Sequence, residues 1–263
     1  MSERPTKPTL PPVTGDPEEA NRHLLEHGVC RLDNALRPGE LEALRAALKA
    51  AASADAKENR SYLYCEGRNQ RIWTLFNRDE CFLRLLENGL ALGVVRAVLG
   101  PDALVSNLSA NITGPGGTAM APHWDQDWAD RPWPHALVAH VIWMIDDFTV
   151  DNGATFVAPG SHLMNKPPEA DCMVPVTGAA GTAMIIDGRL WHGTGPNVTA
   201  DQHRTGILAY YCRPYVRQQE NMALSLSPDL RDGMSLARRK LFGLEFWEYL
   251  NMVGGPPPEI HRF

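Results

Sequence analysis

The chain has 263 residues, of which 44% are hydrophobic and 21% are charged, a composition typical of a globular protein. The formal net charge of −6, with no long basic cluster, argues against a nucleic-acid partner. No apolar run approaches the roughly 18 residues needed to cross a bilayer, so no membrane partner is expected either. The five cysteines are scattered and follow no CxxC spacing, which is typical of reduced thiols and predicts a cytoplasmic protein.

The N-terminal part of the chain is predicted to be helical after a flexible leader. The leader, residues 1–15, is rich in proline and lacks the apolar core of a signal peptide, and a single domain is predicted over 16–263. Asp16-Pro17 has the cap residue and first-turn proline of a helix start, and Gly28 is a typical helix stop. Within a helical part over 16–100, helices are predicted over 16–27, 38–52 and 82–99, with a short strand over 29–32 and no clear pattern over 53–78.

From Ala103 the pattern changes to short β-prone runs separated by Gly, Pro, Asn and Asp. Strands are predicted near 103–112, 118–124, 136–146, 153–158, 172–176, 182–187, 190–194 and 203–213. This spacing, without βαβ alternation, predicts a mainly β fold with a sandwich or jelly-roll core over 103–220 and flanking α-helices. A C-terminal helix is predicted over 235–250.

Three side chains are candidates for a metal site. His123 and Asp125 form an HxD pair, and on an extended segment residues i and i+2 point to the same face. His192 would complete a set of two imidazoles and one carboxylate, which leaves half of an octahedron open and suits non-heme Fe(II). Arg204 is a candidate for the distal carboxylate of a keto diacid chelated to that iron, because a guanidinium keeps its charge and can donate two parallel hydrogen bonds.

Longer motifs make this interpretation specific. The HxD pair is followed by NGATFVAPGSH over 152–162, by DGRLWHGTG over 187–195 and then by Arg204. With these motifs in this order, the chain resembles the phytanoyl-CoA dioxygenase family of Fe(II)/2-oxoglutarate-dependent oxygenases over roughly residues 18–220. The resemblance implies a double-stranded β-helix (a cupin-like jelly roll) that uses Fe(II), 2-oxoglutarate as cosubstrate and O2.

The resemblance also assigns roles to individual residues. His123, Asp125 and His192 would hold the catalytic iron, and Arg204 would bind the far carboxylate of 2-oxoglutarate. Further contributions to the cosubstrate pocket would come from Thr155, Trp143 and Thr194. A lysine that contacts the cosubstrate in some relatives has no clear counterpart, since the matching region reads Arg71-Ile72-Trp73-Thr74.

The expected reaction is hydroxylation, or another oxidation, of an unactivated C–H bond, with release of succinate and CO2. Halogenating relatives have alanine or glycine in place of the carboxylate ligand, so the presence of Asp125 disfavours halogenation. The expected substrate is a small, largely apolar molecule such as a secondary metabolite, although family members also act on acyl-CoA chains, amino-acid derivatives and phosphonates. Formation of a homodimer is an option that rests on the resemblance alone.

Several alternatives stay open at this point. A jelly roll could hold a metal for structure or ligand sensing without catalysis, and a cupin-like hydrolase or isomerase could use Zn or Mn, although Arg204 would then be unexplained. In the aromatic segment 124–133, Trp128 and Trp133 could be loop anchors or a lid over an apolar substrate. His162 is expected to be structural, and His140 is expected to be solvated or hydrogen-bonded.

Overall fold

Two β-sheets of unequal size and a layer of helices build the protein, whose computed structural model describes residues 8–254. The strands are β1 (Val13–Thr14), β2 (Val29–Leu32), β3 (Tyr62–Tyr64), β4 (Asn69–Ile72), β5 (Leu104–Thr113), β6 (Val138–Met144), β7 (Thr155–Val157), β8 (Val174–Pro175), β9 (Ala183–Asp187), β10 (His192–Thr194) and β11 (Arg204–Cys212). The α-helices are α1 (Pro17–His27), α2 (Pro38–Lys57), α3 (Glu80–Leu86), α4 (Gly89–Leu99), α5 (Met222–Ser225), α6 (Pro228–Asp232) and α7 (Leu236–Leu241).

The first helix begins and ends at the residues that the sequence indicates. The side chain of Asp16 accepts a hydrogen bond from the backbone N–H of Glu18, which satisfies one of the free donors of the first turn. Gly28 ends α1 with φ at 74°, in the left-handed region that glycine adopts without strain. This turn leads directly into β2.

The next two predicted helices differ in extent from the structure. α2 runs to Lys57, beyond the predicted end at residue 52, because its alanine-rich continuation favours helix. The helix predicted over 82–99 is two helices, α3 and α4. Asn88 separates them, and its side chain caps α4 by accepting a hydrogen bond from the N–H of Ala91.

The larger sheet contains eight strands in the order β1-β2-β9-β6-β11-β5-β4-β3, and the smaller sheet contains β10-β7-β8. Every neighbouring pair is antiparallel except β1 and β2, which are parallel. The mainly β fold with flanking helices is confirmed, and its two facing sheets are those of a double-stranded β-helix. β3 and β4 come from the region 53–78, for which the sequence predicted no element.

Separate hydrophobic clusters fill the two layers of the fold. Ile142 and Met184 of the larger sheet pack with Val157 of the smaller sheet, so this cluster lies between the sheets. Val141 and Trp143, which alternate with Ile142 along β6, belong instead to the cluster that packs against the helices. Strand alternation therefore decides which residues face the inter-sheet space.

Other predicted segments differ from the structure. Residues 118–124 form only an isolated bridge at His123 instead of a strand, since Pro122 has no N–H for a ladder. The C-terminal helix predicted over 235–250 is the short α7, and Gly243, with φ at 68°, follows its end. The last residues of the predicted leader pair with β2 as β1. Residues 1–7 of that leader and 255–263 of the predicted domain lie outside the described residues.

Over residues 8–254, none of the helices combines the length and apolar composition that crossing a bilayer requires.

Candidate active site

The two candidate histidine ligands face each other across a backbone bridge. The N–H of His123 donates to the carbonyl of His192 at 2.8 Å, and the N–H of His192 donates to the carbonyl of His123 at 3.1 Å. This reciprocal pairing places the two imidazoles side by side, with ring centres 4.5 Å apart. The bridge therefore positions the histidines, whereas the sequence had predicted that a regular strand would do so.

Each imidazole is oriented by a carbonyl behind it. His123 Nδ1 lies 3.1 Å from the Ala121 carbonyl oxygen, and His192 Nδ1 lies 2.9 Å from the Leu190 carbonyl oxygen. Donation from Nδ1 leaves Nε2 as the free acceptor on both rings, which is the arrangement typical of metal-binding histidines. Burial, followed by the charge of His192, lowers the pKa of His123, so its imidazole is neutral near pH 7.

Asp125 completes the set of three candidate metal ligands. Its Oδ1 lies 3.9 Å from His123 Nε2, and its Oδ2 lies 3.8 Å from His192 Nε2. Metal bonds to imidazole and carboxylate are about 2.1 Å long, so one ion can bridge donors up to roughly 4.2 Å apart. Asp125 Oδ2 is buried without a hydrogen-bond partner, which is the state expected of a ligand atom. The three residues therefore fit a divalent metal.

The carboxylate of Asp125 is strongly favoured over its protonated form. Burial alone would raise the pKa of Asp125, but His192, His140 and His123 surround it and bring the pKa to about 2. Asp125 is therefore ionised, as metal binding requires, throughout the neutral pH range even without a bound cation.

Asp125 lies in a turn that buried polar contacts hold in place. Tyr210 Oη and Trp128 Nε1 both donate to the Asp125 carbonyl oxygen, at 2.8 and 2.9 Å. The next residue, Gln126, is fully buried, and its Oε1 accepts a hydrogen bond from the N–H of Leu137 at 2.9 Å. These contacts replace the strand ladder that the segment lacks.

The aromatic segment after Asp125 packs against itself and not over the cavity. The guanidinium carbon of Arg131 lies 3.7 Å from the ring centre of Trp124 and 4.4 Å from that of Trp133. Trp133 also donates through Nε1 to the Ala129 carbonyl at 2.9 Å. Neither Trp128 nor Trp133 lines the cavity, which favours the loop-anchor interpretation over a lid.

Arg204 begins β11, and its charge is buried without an acidic partner. Only 2% of the residue is exposed, and its Nη2 donates to the Gly153 carbonyl. Its guanidinium carbon lies 4.5 Å from the centre of the Phe148 ring, and its buried Nε has no hydrogen-bond partner. Burial lowers the pKa of Arg204 to about 10. Among residues 8–254 no Asp or Glu side chain forms an ion pair with it.

The metal donors and Arg204 line one cavity of about 230 Å³ between the two sheets. Thr155 and Thr194, which lie opposite each other on β7 and β10, contribute to its wall. The cavity is thus large enough for a small dicarboxylic acid, and both the candidate metal donors and the cation of Arg204 lie on its wall.

Comparison with known proteins identifies the family. Residues 24–206 match the sequence profile of the family described as "Phytanoyl-CoA dioxygenase (PhyH)", which is more than half of the chain. The protein belongs to the phytanoyl-CoA dioxygenase family. Family membership identifies it as an oxygenase, and the resemblance stated from the motifs is confirmed.

Relatives that are named as dioxygenases agree. The chain is 35% identical over 248 residues to "Dioxygenase af480" of Aspergillus fumigatus, covering 90% of this chain and 80% of that protein. It is 29% identical over 197 residues to "Dioxygenase FrzG" of Cladobotryum, covering 67% of this chain and 64% of that protein.

Solved structures show the same fold. AviO1 from Streptomyces viridochromogenes superimposes with a TM-score of 0.63 at 22% identity, over 77% of this chain and 97% of its own. SnoK, described as a non-heme alpha ketoglutarate dependent carbocyclase from nogalamycin biosynthesis, gives a TM-score of 0.63 at 19% identity, over 80% and 91% of the two chains. At these identities the likeness concerns the fold alone.

One residue that the resemblance to the phytanoyl-CoA dioxygenase family placed in the pocket lies elsewhere. Trp143 is fully buried in the cluster between the larger sheet and the helices, whereas its neighbour Ile142 lines the cavity. The prediction that Trp143 lines the cosubstrate pocket is wrong, because side chains alternate along β6 and its position belongs to the other face.

The structure adds two residues to the cavity wall to which the sequence analysis gave no role there. His140 was expected to be solvated or hydrogen-bonded; it lines the cavity, and its Nδ1 lies 3.5 Å from Asp125 Oδ2. Arg71 of β4 also lines the cavity. The region of Arg71 matches that of a lysine that contacts the cosubstrate in some relatives, but only the register of β6 and β4 shows that both side chains face the cavity. His162 is structural, as expected, with Nε2 3.0 Å from the Leu25 carbonyl oxygen.

Proposed function

We propose that the protein is an Fe(II)/2-oxoglutarate-dependent dioxygenase that hydroxylates, or otherwise oxidises, a C–H bond of a small molecule of secondary metabolism. The cosubstrate would be converted to succinate and CO2. Family membership supports the oxygenase class, and the donor set of His123, Asp125 and His192 supports iron as the metal.

Iron bound by these residues would supply O2 activation, for which the oxidation of 2-oxoglutarate to succinate and CO2 would provide two electrons. The protein's own contribution is to hold two neutral imidazoles and one carboxylate on one side of the metal and leave the other side open. The carbonyls of Ala121 and Leu190 fix both rings, so little reorganisation is needed when a metal binds.

The observation that carries the proposal is the unpaired, buried guanidinium of Arg204. A buried charge without a partner is unfavourable, and proteins keep one where a ligand of opposite charge compensates it. A dicarboxylate that chelates the metal with one end would reach Arg204 with the other. Thr155 and Thr194 lie on the same wall, and their hydroxyl groups are expected to donate hydrogen bonds to that carboxylate.

The carboxylate of Asp125 supports oxidation without halogen transfer, since its presence leaves no coordination position on the metal for a halide.

A non-catalytic metal-binding module is the alternative function. It would bind metal but would not need a keto acid, and Arg204 would have no ligand.

The proposal is tested by adding Fe(II) and 2-oxoglutarate to the protein without oxygen. The wild-type protein should develop the weak visible charge-transfer band of a chelated keto acid and, with oxygen, slowly form succinate without substrate. His123→Ala should abolish the band, whereas Arg204→Ala should keep metal binding and weaken 2-oxoglutarate binding about 100-fold.

His135→Ala is the matched control, because His135 is an exposed histidine outside the cavity whose Nε2 contacts Tyr215 Oη. It should leave the band unchanged. A wild-type protein that binds the metal but shows neither the band nor succinate would refute the dioxygenase and favour the non-catalytic module.

A further inference from the structure

A row of three side chains crosses the cavity wall at the level of the metal donors. Asn107 of β5, Tyr210 of β11 and His140 of β6 lie opposite one another in the strand register, and all three line the cavity. Tyr210 Oη donates to the Asp125 carbonyl oxygen, and His140 Nδ1 lies 3.5 Å from Asp125 Oδ2. Asn107 is directed elsewhere, since its Nδ2 lies 3.4 Å from Glu220 Oε1.

The side chain of Asn107 is almost completely buried but keeps hydrogen-bonding capacity for a ligand. Only 7% of the residue is exposed, and its amide can donate two hydrogen bonds and accept two. The contact of 3.4 Å with Glu220 is long for a hydrogen bond and uses only one of these groups. Because a buried amide that stays unpaired is unfavourable, a ligand that supplies hydrogen bonds at this point would bind favourably.

A β-bulge brings a second amide to the same end of the cavity. The register of β11 against β5 shifts between Tyr210 and Tyr211, so that Ser106 of β5 pairs with neither of them. Ser106 Oγ instead accepts a hydrogen bond from the N–H of Gln219 at 2.7 Å, and its carbonyl accepts one from the N–H of Glu220 at 2.9 Å. The bulge thereby holds the segment that places Gln219 on the cavity wall.

This end of the cavity is remote from the end that would bind the cosubstrate. Arg204 lies opposite Thr113 of β5, six residues from Asn107, which corresponds to about 20 Å along a strand. A 2-oxoglutarate molecule that chelates the metal and reaches Arg204 therefore extends away from Asn107. Arg71 lies opposite Asn111 and matches the region of the cosubstrate-binding lysine of some relatives, so it belongs to the Arg204 side.

The wall beside the two amides offers apolar surface and no counter-ion. Among the described residues that line the cavity, the carboxylate and guanidinium groups are those of Asp125, Arg71 and Arg204, which would serve the metal and the cosubstrate. Trp73 follows β4 at its end nearer the bulge, and both Trp73 and Met120 line the cavity, 41% and 38% exposed. Neutral amides next to apolar surface are typical of a site for an uncharged molecule with a polar group.

We propose that Asn107 and Gln219 bind a neutral oxygen group of the substrate, so that the substrate is an uncharged molecule with a hydroxyl or carbonyl group and an apolar body that contacts Trp73 and Met120. An amide can pair with either group because it both donates and accepts. A hydrocarbon would leave the buried amide unpaired, and an ion would be desolvated without a counter-ion. This inference rests on the proposed function and narrows its substrate to a neutral, oxygenated molecule.

The inference is tested with three probes of one skeleton, 2-phenylethanol, phenylacetate and 2-phenylethylammonium. Each is titrated by calorimetry into the protein saturated with Zn(II) and 2-oxoglutarate, a complex that does not react with oxygen. The wild-type protein should bind the alcohol at least about tenfold more tightly than either ion. Asn107→Leu keeps the size of the side chain and removes its hydrogen bonds, so it should weaken binding of the alcohol about fivefold.

Two further variants make the result specific. Gln219→Leu changes an exposed side chain, so the fold should persist while binding of the alcohol weakens about threefold. Gln202→Leu, at an exposed glutamine outside the cavity, is the matched control and should bind the alcohol like the wild-type protein. The affinity for 2-oxoglutarate should stay within about threefold of the wild-type value in all three variants, which also shows that they are folded.

The inference is overturned if the wild-type protein binds none of the probes, or binds an ion as tightly as the alcohol. It is equally overturned if Asn107→Leu and Gln219→Leu bind the alcohol like the wild-type protein. Should Asn107→Leu not fold, unchanged binding of the alcohol by Gln219→Leu alone decides against it.

A different failure would assign Asn107 to the cosubstrate, namely that Asn107→Leu weakens 2-oxoglutarate binding as strongly as Arg204→Ala does. All of these failures leave the dioxygenase proposal intact. Failure of the wild-type protein to bind 2-oxoglutarate at all would instead refute the proposed function itself.

Discussion

Arg204 is a residue whose buried charge would favour ligand binding but lowers the stability of the ligand-free protein. Its pKa is lowered to about 10 by burial, which means that the folded state disfavours the charged form relative to the unfolded chain. The charge therefore destabilises the fold at every pH below about 10, and this effect is lost as the pH rises from there towards 12.5. A bound dicarboxylate would compensate the charge at neutral pH.

Replacement of Arg204 by methionine should stabilise the ligand-free protein and remove its response to cosubstrate. Arg204→Met keeps an unbranched apolar side chain and removes the buried charge, so the free energy of unfolding at pH 7 should rise by about 1 kcal/mol. Urea unfolding with and without Zn(II) and 2-oxoglutarate measures both effects. Arg60→Met, at an exposed site, should change neither. A less stable Arg204→Met protein would mean that the guanidinium supports the fold.

The residues of the site differ in how far the sequence could reveal them. His123 and Asp125 are two positions apart, and a local motif was sufficient to pair them. His140 and Arg71 lie on strands far from the HxD pair in sequence, and they reach the cavity only through the pairing of β6 with β11 and of β4 with β5. Trp143 was misplaced for the same reason, since the face of β6 that lines the cavity depends on the sheet and not on the motif.

At the scale of elements, the metal site depends on the close approach of β10 to the segment before His123. A Cβ atom placed on Gly193 would lie 2.8 Å from the Met120 carbonyl oxygen and 3.3 Å from Pro122 Cα. The glycine after His192 therefore permits the bridge between His123 and His192, because any side chain would push the two segments apart.

Gly193→Ala should accordingly weaken metal binding while the rest of the fold persists. We expect the affinity for Zn(II) to fall at least about tenfold, because His123 moves with the displaced segment. Calorimetry measures the affinity, and circular dichroism verifies the fold. Gly93→Ala is the matched control, since a Cβ there meets nothing within 4 Å on α4 and should stabilise the helix by about 1 kcal/mol. Unchanged metal affinity in Gly193→Ala would show that the bridge does not set the ligand geometry.

The elements themselves were predictable where local chemistry decides them. α1 has its cap and its glycine stop in the sequence, and most strands between 103 and 213 were correctly located by their turn residues. The failures occur where tertiary contacts decide. Residues 118–124 are held by single contacts with β10 and not by a ladder, and β3 and β4 form at a sheet edge without a strong pattern of their own.

At the scale of the molecule, one of the two hydrophobic clusters contributes to stability alone, whereas the other also forms part of the cavity wall. The cluster between the larger sheet and the helices contains Trp143 and no residue that lines the cavity around the metal donors. The inter-sheet cluster contains Ile142 and Leu208, both of which line it. Changes in the first layer should therefore affect unfolding, whereas changes at the cavity wall should affect ligand binding. The extent of the domain and a homodimeric state stay predictions.

Trp143→Leu and Thr155→Val test this division with opposite expected results. Trp143→Leu leaves a cavity in the helix-facing cluster, so the free energy of unfolding should fall by about 2–3 kcal/mol while the 2-oxoglutarate dissociation constant stays within about threefold of the wild-type value. Thr155→Val removes one hydroxyl from the cavity wall at nearly constant volume, so it should raise that constant about fivefold or more with little change in unfolding. Both are measured by urea unfolding and calorimetry at 10 °C, where the variants stay folded. If Trp143→Leu strongly weakened 2-oxoglutarate binding, the helix-facing cluster would not be separate from the site. Trp143 would then contribute to the cosubstrate pocket, as the resemblance implied.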